Sequence, residues 1–348
     1  MKKVFMLLLA VVLSFSLFAC GGKKDTGDKL VEYDSSWPYP GPIPANTNPN
    51  LKYFGYYHTD GFGGSPQYFS DIGALGNSNV GWITWSDSSG KSEVYKCKQN
   101  GMQAIVMLPG TQFFDNSNSS AAGHVQSQPL AAGYQSNWAY LKNEFNQTMG
   151  DGTKILDNIF AFYFDEPYWW GVQTDAFRTV TKMITDDYPT KHMMVCMTSM
   201  DIGASTYGNI PLVPDNYYEY CTDLGYDNYG VGPNFWNDTQ RIQWLGLLKA
   251  KANNNQMLWE VPKAMEATPY TFHADGMIEA LKGAYTEAIT DKRFAGILCF
   301  SYATGINTGD WGYGLESFFR PDGDFYYMGA DLMSLHIGIG QLIINNGK

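Results

Sequence analysis

Residues 158–170 read NIFAFYFDEPYWW, and this stretch decides how the rest of the chain is read. Ile159 to Phe164 is an unbroken apolar and aromatic run that ends against Pro167. So short a run predicts a strand buried on both faces, as in a parallel sheet. Pro167 cannot extend that strand, and it biases Glu166 away from helical geometry. Two adjacent carboxylates, Asp165 and Glu166, therefore stand at the strand's carboxyl end, and Tyr168, Trp169 and Trp170 follow at once. Parallel α/β folds keep their active sites at that end. A helix N-cap would also place acids here, but Pro167 and the rings stand between them and the next helix.

Working outward, the chain alternates short apolar runs with helix-like segments. Strands are predicted at 53–58, 79–85, 103–108, 159–164, 193–198, 224–229, 257–261 and 295–302. Helices are predicted at 91–100, around 138–148, and at 175–187, 239–252, 276–290 and 327–344. In the segment 175–187, Phe177, Val180 and Ile184 recur at helical spacing. Such alternation implies an α/β fold with helices outside a parallel sheet. Eight units in one domain of this length predict a closed (β/α)8 TIM barrel over residues 51–348. A doubly wound open sheet is the other topology consistent with the pattern.

Before the barrel, Lys2 and Lys3 open an apolar run ending in Leu17-Phe18-Ala19-Cys20. This matches a bacterial lipoprotein signal: residues 1–19 are removed and Cys20 becomes the lipidated N-terminus. Residues 20–50, rich in Gly, Ser, Asn and Pro, are expected as a flexible tether. The mature protein is then expected in the bacterial cell envelope, lipid-anchored and facing the periplasm or the cell exterior.

The formal net charge is −11, and removing Lys2 and Lys3 makes the chain more acidic. Nucleic acid is therefore not expected as a partner, because phosphate binding needs a basic surface. Cys97, Cys196, Cys221 and Cys299 form no C-x-x-C pair. They read as buried thiols, with a Cys196–Cys221 disulfide as the alternative. The histidines lack metal-ligand spacing, and neither a G-x-G-x-x-G turn nor a G-K-[ST] loop is present, so no metal and no cofactor are expected.

In a barrel the last residues of every strand share one mouth. That places His58, Asp60, Trp85, Asp165, Glu166, Asp227, Tyr229, Trp259, Glu260 and Tyr302 there, with Trp169, Trp170, Trp311 and Asp310 in the loops. Paired carboxylates beside aromatic platforms suit the cleavage of glycosidic bonds. Asp165, Glu166 and Glu260 are the expected catalytic residues. His58, Asp60, Trp85, Trp169, Trp170, Asp227, Tyr229, Trp259, Tyr302 and Trp311 are expected to bind a carbohydrate substrate. A salt bridge to Lys263 or Arg293 would give Glu260 a purely structural role.

The acid followed by Pro167 resembles the Asn-Glu-Pro signature of the retaining (β/α)8 glycoside hydrolase clan. That resemblance implies Glu166 as acid/base and Glu260 as nucleophile. Asp165 departs from the clan's Asn, which holds a sugar hydroxyl. An adjacent Asp-Glu pair also resembles the hexosaminidase-type barrels. There Asp165 would steady the substrate's own acetamido group, Glu166 would be the acid, Glu260 need not be catalytic, and Tyr229 or Asp227 would assist. The implied function is an exported, lipid-anchored glycoside hydrolase. A non-catalytic glycan-binding lipoprotein on the same scaffold is the alternative. A lyase or esterase lacks a G-x-S-x-G elbow.

Overall fold

The computed structural model describes residues 38–60, 67–117, 127–198, 201–202, 213–228, 239–266, 274–302, 313–319, 321 and 329–346. Eight parallel strands close into a barrel. They are β1 (Tyr53–Tyr56), β2 (Val80–Thr84), β3 (Gln103–Met107), β4 (Ile159–Asp165), β5 (His192–Met197), β6 (Asp223–Asn228), β7 (Met257–Pro262) and β8 (Phe294–Cys299). Closure comes from β1 against β8, where Tyr53 pairs with Gly296 and Tyr56 with Cys299. Each strand lies within a residue or so of its predicted start, and β1 and β8 stop earlier than predicted. The outer helices are α1 (Gln67–Leu75), α2 (Gly90–Gln99), α3 (Tyr134–Phe145), α4 (Thr174–Asp187), α5 (Thr239–Lys251), α6 (Ala274–Thr290) and α7 (Ala330–Ile344). Helix α1 has no counterpart in the prediction. Its buried Phe69 and Ile72 have helical spacing, but glycines at 61, 63 and 64 and Pro66 disguise the start as loop.

Alternation along the strands sorts the core into two layers. Tyr57, Val80, Trp82, Ile105, Tyr163, Met194, Cys196, Trp259, Val261 and Leu298 pack inside the barrel. Phe54, Ile83, Val106, Phe162, Val195, Leu224, Tyr226, Leu258 and Ile297 face the helices. The lower interior is closed by Trp259, which stacks on Tyr53 at 5.7 Å. Its indole Nε1 donates to Asp223 Oδ1 at 2.7 Å. Gly296 makes room for that ring, since a Cβ there would lie 2.3 Å from it. The cysteines at 97, 196, 221 and 299 are buried free thiols, not a disulfide pair.

The expected tether ends sooner than residue 50. Asn48 is buried, and its Nδ2 donates to the carbonyls of Ala288, Asp291 and Phe294 at 2.7, 3.0 and 3.1 Å. Thr47 and Asn50 bind the carbonyls of Ile289 and Lys292. The carbonyls of Ala288 and Ile289 lie in the last turn of α6, where helix geometry leaves acceptors without partners, and those of Asp291, Lys292 and Phe294 follow on into the start of β8. Further up, Tyr285 Oη donates to Pro44 O, and Tyr39 Oη to Asp331 O at the start of α7. Residues 38–50 thus form a strap along α6 and α7, from the end where β8 finishes to the end where β1 begins. Their Asn and Pro content reads as linker, yet the asparagines serve as caps.

Candidate active site

Strand β4 delivers its acids to the mouth because everything before them is buried core. Tyr163 points inward, two residues before Asp165, and its hydroxyl donates to Asp165 Oδ1 at 2.5 Å. The Tyr57 hydroxyl lies 2.6 Å from that of Tyr163 and extends the chain across the barrel. Burial pushes the Asp165 carboxyl above the usual range, while the bond from Tyr163 opposes that by favouring the charged form.

Glu166 leaves the strand with a left-handed backbone, φ 42°. A non-glycine residue held so costs on the order of 1–3 kcal/mol, and the surroundings must over-determine it. Here its N–H is bound by Cys196 O at 3.2 Å, and its carbonyl accepts from Trp170 N at 3.1 Å. The turn is held from outside by Gln128, whose Nε2 donates to Trp170 O at 2.7 Å. The Glu166 carboxyl is pushed up to about 10, chiefly by burial, then by the charges of Asp227 and Asp165, a hydrogen bond with Asp227 and the charge of Asp201. It is therefore a carboxylic acid, not a carboxylate, at neutral pH.

Asp227 comes from the inward face of β6, and Cys196 Sγ donates to its Oδ1 at 2.7 Å. Asp201, just beyond β5, is fully buried, and its Oδ2 accepts from Thr198 N at 2.8 Å. Burial pushes its carboxyl up to about 7, against hydrogen bonds from Thr198. Around these acids the wall is aromatic. His58 meets the Trp82 ring edge-on at 4.6 Å and the Phe300 ring at 5.6 Å. Burial pushes the His58 imidazole down to about 3, so it is neutral at the mouth. Among the described residues, no group of three or more His, Cys, Asp or Glu side chains is placed to hold a metal ion.

The structure thus brings together His58, Asp165, Glu166 and Asp227 from the expected set. Trp169 is half-buried in the turn behind Glu166, and Trp170 is 47 % exposed beside it. Others are elsewhere. Asp60 is buried between β2 and α2, where it accepts Thr84 N at 2.7 Å and, after burial itself, its charge pushes up the Cys97 thiol. Trp85 packs on Phe145 at 4.8 Å, between helices. Tyr302 is buried against Tyr56 and Tyr68 in the outer layer. Trp259 closes the barrel below and offers no platform. Tyr229, Asp310 and Trp311 lie outside the described residues.

Glu260 needs the largest correction. It pairs in register with Tyr226 on one side and Ile297 on the other, and both belong to the outer layer. Its neighbours Trp259 and Val261 face inward, so its own buried side chain faces the helices. Glu166 is therefore joined at the mouth by Asp165 and Asp227 instead of by Glu260. Reading strand ends misses Tyr163, Cys196 and Phe300, and it reaches Tyr57 and Trp82 without giving them a role in the site. Two-residue alternation is the signal that finds them, since Tyr163 shares a face with Asp165 and Trp82 with Val80.

No protein-family model matches this chain, and no curated protein matches it in sequence. Solved structures do match in fold. A glucosidase from Croceicoccus marinus superposes with a TM-score of 0.55 at 10% identity, over 86% of this chain and 69% of that one. An endo-β-1,4-mannanase double mutant from Cellulomonas fimi gives 0.49 at 14% identity, over 84% and 74%. A GH113 β-1,4-mannanase gives 0.49 at 10% identity, over 84% and 98%. The chain thus shares the barrel fold of that glucosidase.

Proposed function

We propose that this chain is an exported, lipid-anchored glycoside hydrolase that cleaves O-glycosidic bonds of an oligo- or polysaccharide. The observation that carries the reading is the Asp165–Glu166 pair at the mouth, in which Glu166 keeps its proton and Asp165 is held by Tyr163. Burial raises both carboxyls, but only Asp165 receives a hydrogen bond, from Tyr163, that favours its charged form, which suits an acid working beside a second carboxyl. Glu166 donates its proton to the glycosidic oxygen as the bond to the anomeric carbon breaks.

The outward Glu260 supplies no nucleophile from β7, which favours the substrate-assisted route over direct attack by a second glutamate. On that route the oxygen of a 2-acetamido group attacks the anomeric carbon, and Asp165 accepts the hydrogen bond of its N–H. Water then opens the ring so formed, giving one proton back to Glu166. A barrel that binds glycan without cleaving it is the second reading, favoured by the same absence of Glu260 from the mouth.

The test compares aryl 2-acetamido-2-deoxy-glycosides with their 2-hydroxy analogues. The wild type is expected to cleave only the first set. Asp165→Asn is expected to lower kcat by about 10²-fold or more, the scale of a positioned catalytic group, with Glu260→Gln within about tenfold of wild type. An inactive Glu260→Gln protein, together with azide rescue of Glu260→Ala, would restore the direct mechanism. No cleavage by the wild type, with glycan binding retained, would establish the binder.

A further inference from the structure

The proposal above uses Asp165 and Glu166 and leaves a third acid of the mouth, Asp227, without a task. Its placement is specific. Strand β5 pairs with β4 so that Cys196 lies beside Asp165, and β6 pairs with β5 so that Gly225 lies beside Cys196. Asp227 is two residues further up the same inward face. Its carboxylate therefore reaches back over the Cys196 thiol, which donates to Oδ1 at 2.7 Å. Glu166 approaches the same place from the other side. Its N–H is fixed to Cys196 O, its backbone is turned left-handed, and its carboxyl is hydrogen-bonded to Asp227. One short segment of β5 thus fixes both partners, one through its carbonyl and the other through its thiol.

We propose that Asp227 is a positioning residue for Glu166: its carboxylate, braced by the Cys196 thiol, accepts the hydrogen bond that keeps Glu166 in its acid form at the mouth. This rests on the glycosidase reading only for its consequence in catalysis. Two carboxyl groups in contact bind one proton far more readily than none, because two negative charges side by side repel. The other charged and titratable groups near Glu166 are Asp165 and Tyr163 on β4, Cys196 on β5, Asp201 beyond it with Lys251 alongside, and Tyr57 at the end of β1. Asp165 is turned into the Tyr163 hydroxyl, so Asp227 is the carboxylate left to take the Glu166 proton.

The experiment is a carboxyl carbon NMR titration of 13C-glutamate-labelled protein, with the Glu166 resonance identified by its loss in Glu166→Gln. In the wild type Glu166 is expected to titrate above pH 8. In Asp227→Asn, which is isosteric, and in Asp227→Ala, the midpoint is expected to fall by at least one pH unit. The alkaline limb of kcat/KM should fall with it, a change that mere loosening of the site would not produce. A wild-type midpoint below pH 6 overturns the proposal, as does a midpoint that neither folded variant moves. The titration needs no turnover. An inactive wild type would therefore overturn the glycosidase reading, while the NMR result still decides the role of Asp227.

Discussion

Glu166 escapes the alternation that governs its neighbours. Adjacent residues of a strand face opposite sides, so Trp259 and Glu260 could not both look into the mouth, and neither could Trp82 and Trp85, three residues apart. Asp165 and Glu166 do share it, because the left-handed turn at Glu166 swings the second acid back beside the first. The acids of β4 were legible from their position before Pro167, whereas the face of Glu260 required counting along β7. The proton on Glu166 has a cost that can be measured. Its carboxyl lies at about 10 in the folded protein against an ordinary 4.5, so between those values the native state holds a proton that the unfolded chain has lost. The contribution of this residue to stability is thus greatest below about pH 4.5 and is lost as pH rises through about 10. Asp201 acts in the same sense from 3.8 to about 7. Glu166→Gln has no such proton to lose. Urea midpoints taken from pH 5 to 9.5 should decline less steeply in the variant than in the wild type; parallel declines would place an ordinary carboxylate at this position.

Among the elements, the strands were legible because nearly all are short apolar runs, β6 (DLGYDN) excepted, and their starts were found to within a residue or so. Less legible was anything whose role depends on a distant partner. The strap of residues 38–50 is such a case. Its composition is that of a linker, and only the stretch from the end of α6 to the start of β8 reveals Asn48 as the partner of three carbonyls. Removing that amide leaves buried acceptors unpaired, which costs about 1–3 kcal/mol. Asn48→Ala should therefore lower the free energy of unfolding by that amount without altering the mouth, at the far end of the barrel. A denaturation curve superimposable on wild type would show that the strap carries no stability. A soluble fragment is better begun before Pro38 than at Leu51, since a start at Leu51 deletes the strap.

At the scale of the whole molecule, the barrel separates two tasks by layer. Aromatic rings seal the inside below the acids, around Trp259 and Tyr53. A larger shell of apolar residues holds the helices outside. Among the described residues no helix is long and apolar enough to cross a membrane. The proposed attachment rests on Cys20 after Leu17-Phe18-Ala19. The lipid is built on a thiol, so Cys20→Ser should move the protein from the detergent phase to the aqueous phase on cloud-point partitioning, while wild type stays in detergent. Equal partitioning of the two would remove the anchor from the account.

The central claim is that Glu166 is the general acid of a glycosidase, and the leaving group reports on it directly. An acid matters most when the departing oxygen is a poor leaving group and least when it is an activated phenol. The measurement is kcat/KM for wild type and Glu166→Gln across aryl 2-acetamido-2-deoxy-glycosides of graded phenol acidity. The account predicts a loss of about 10²–10⁴-fold for the least acidic phenols, shrinking toward none for the most acidic. A loss of the same size across the whole series, or no loss anywhere, would contradict it.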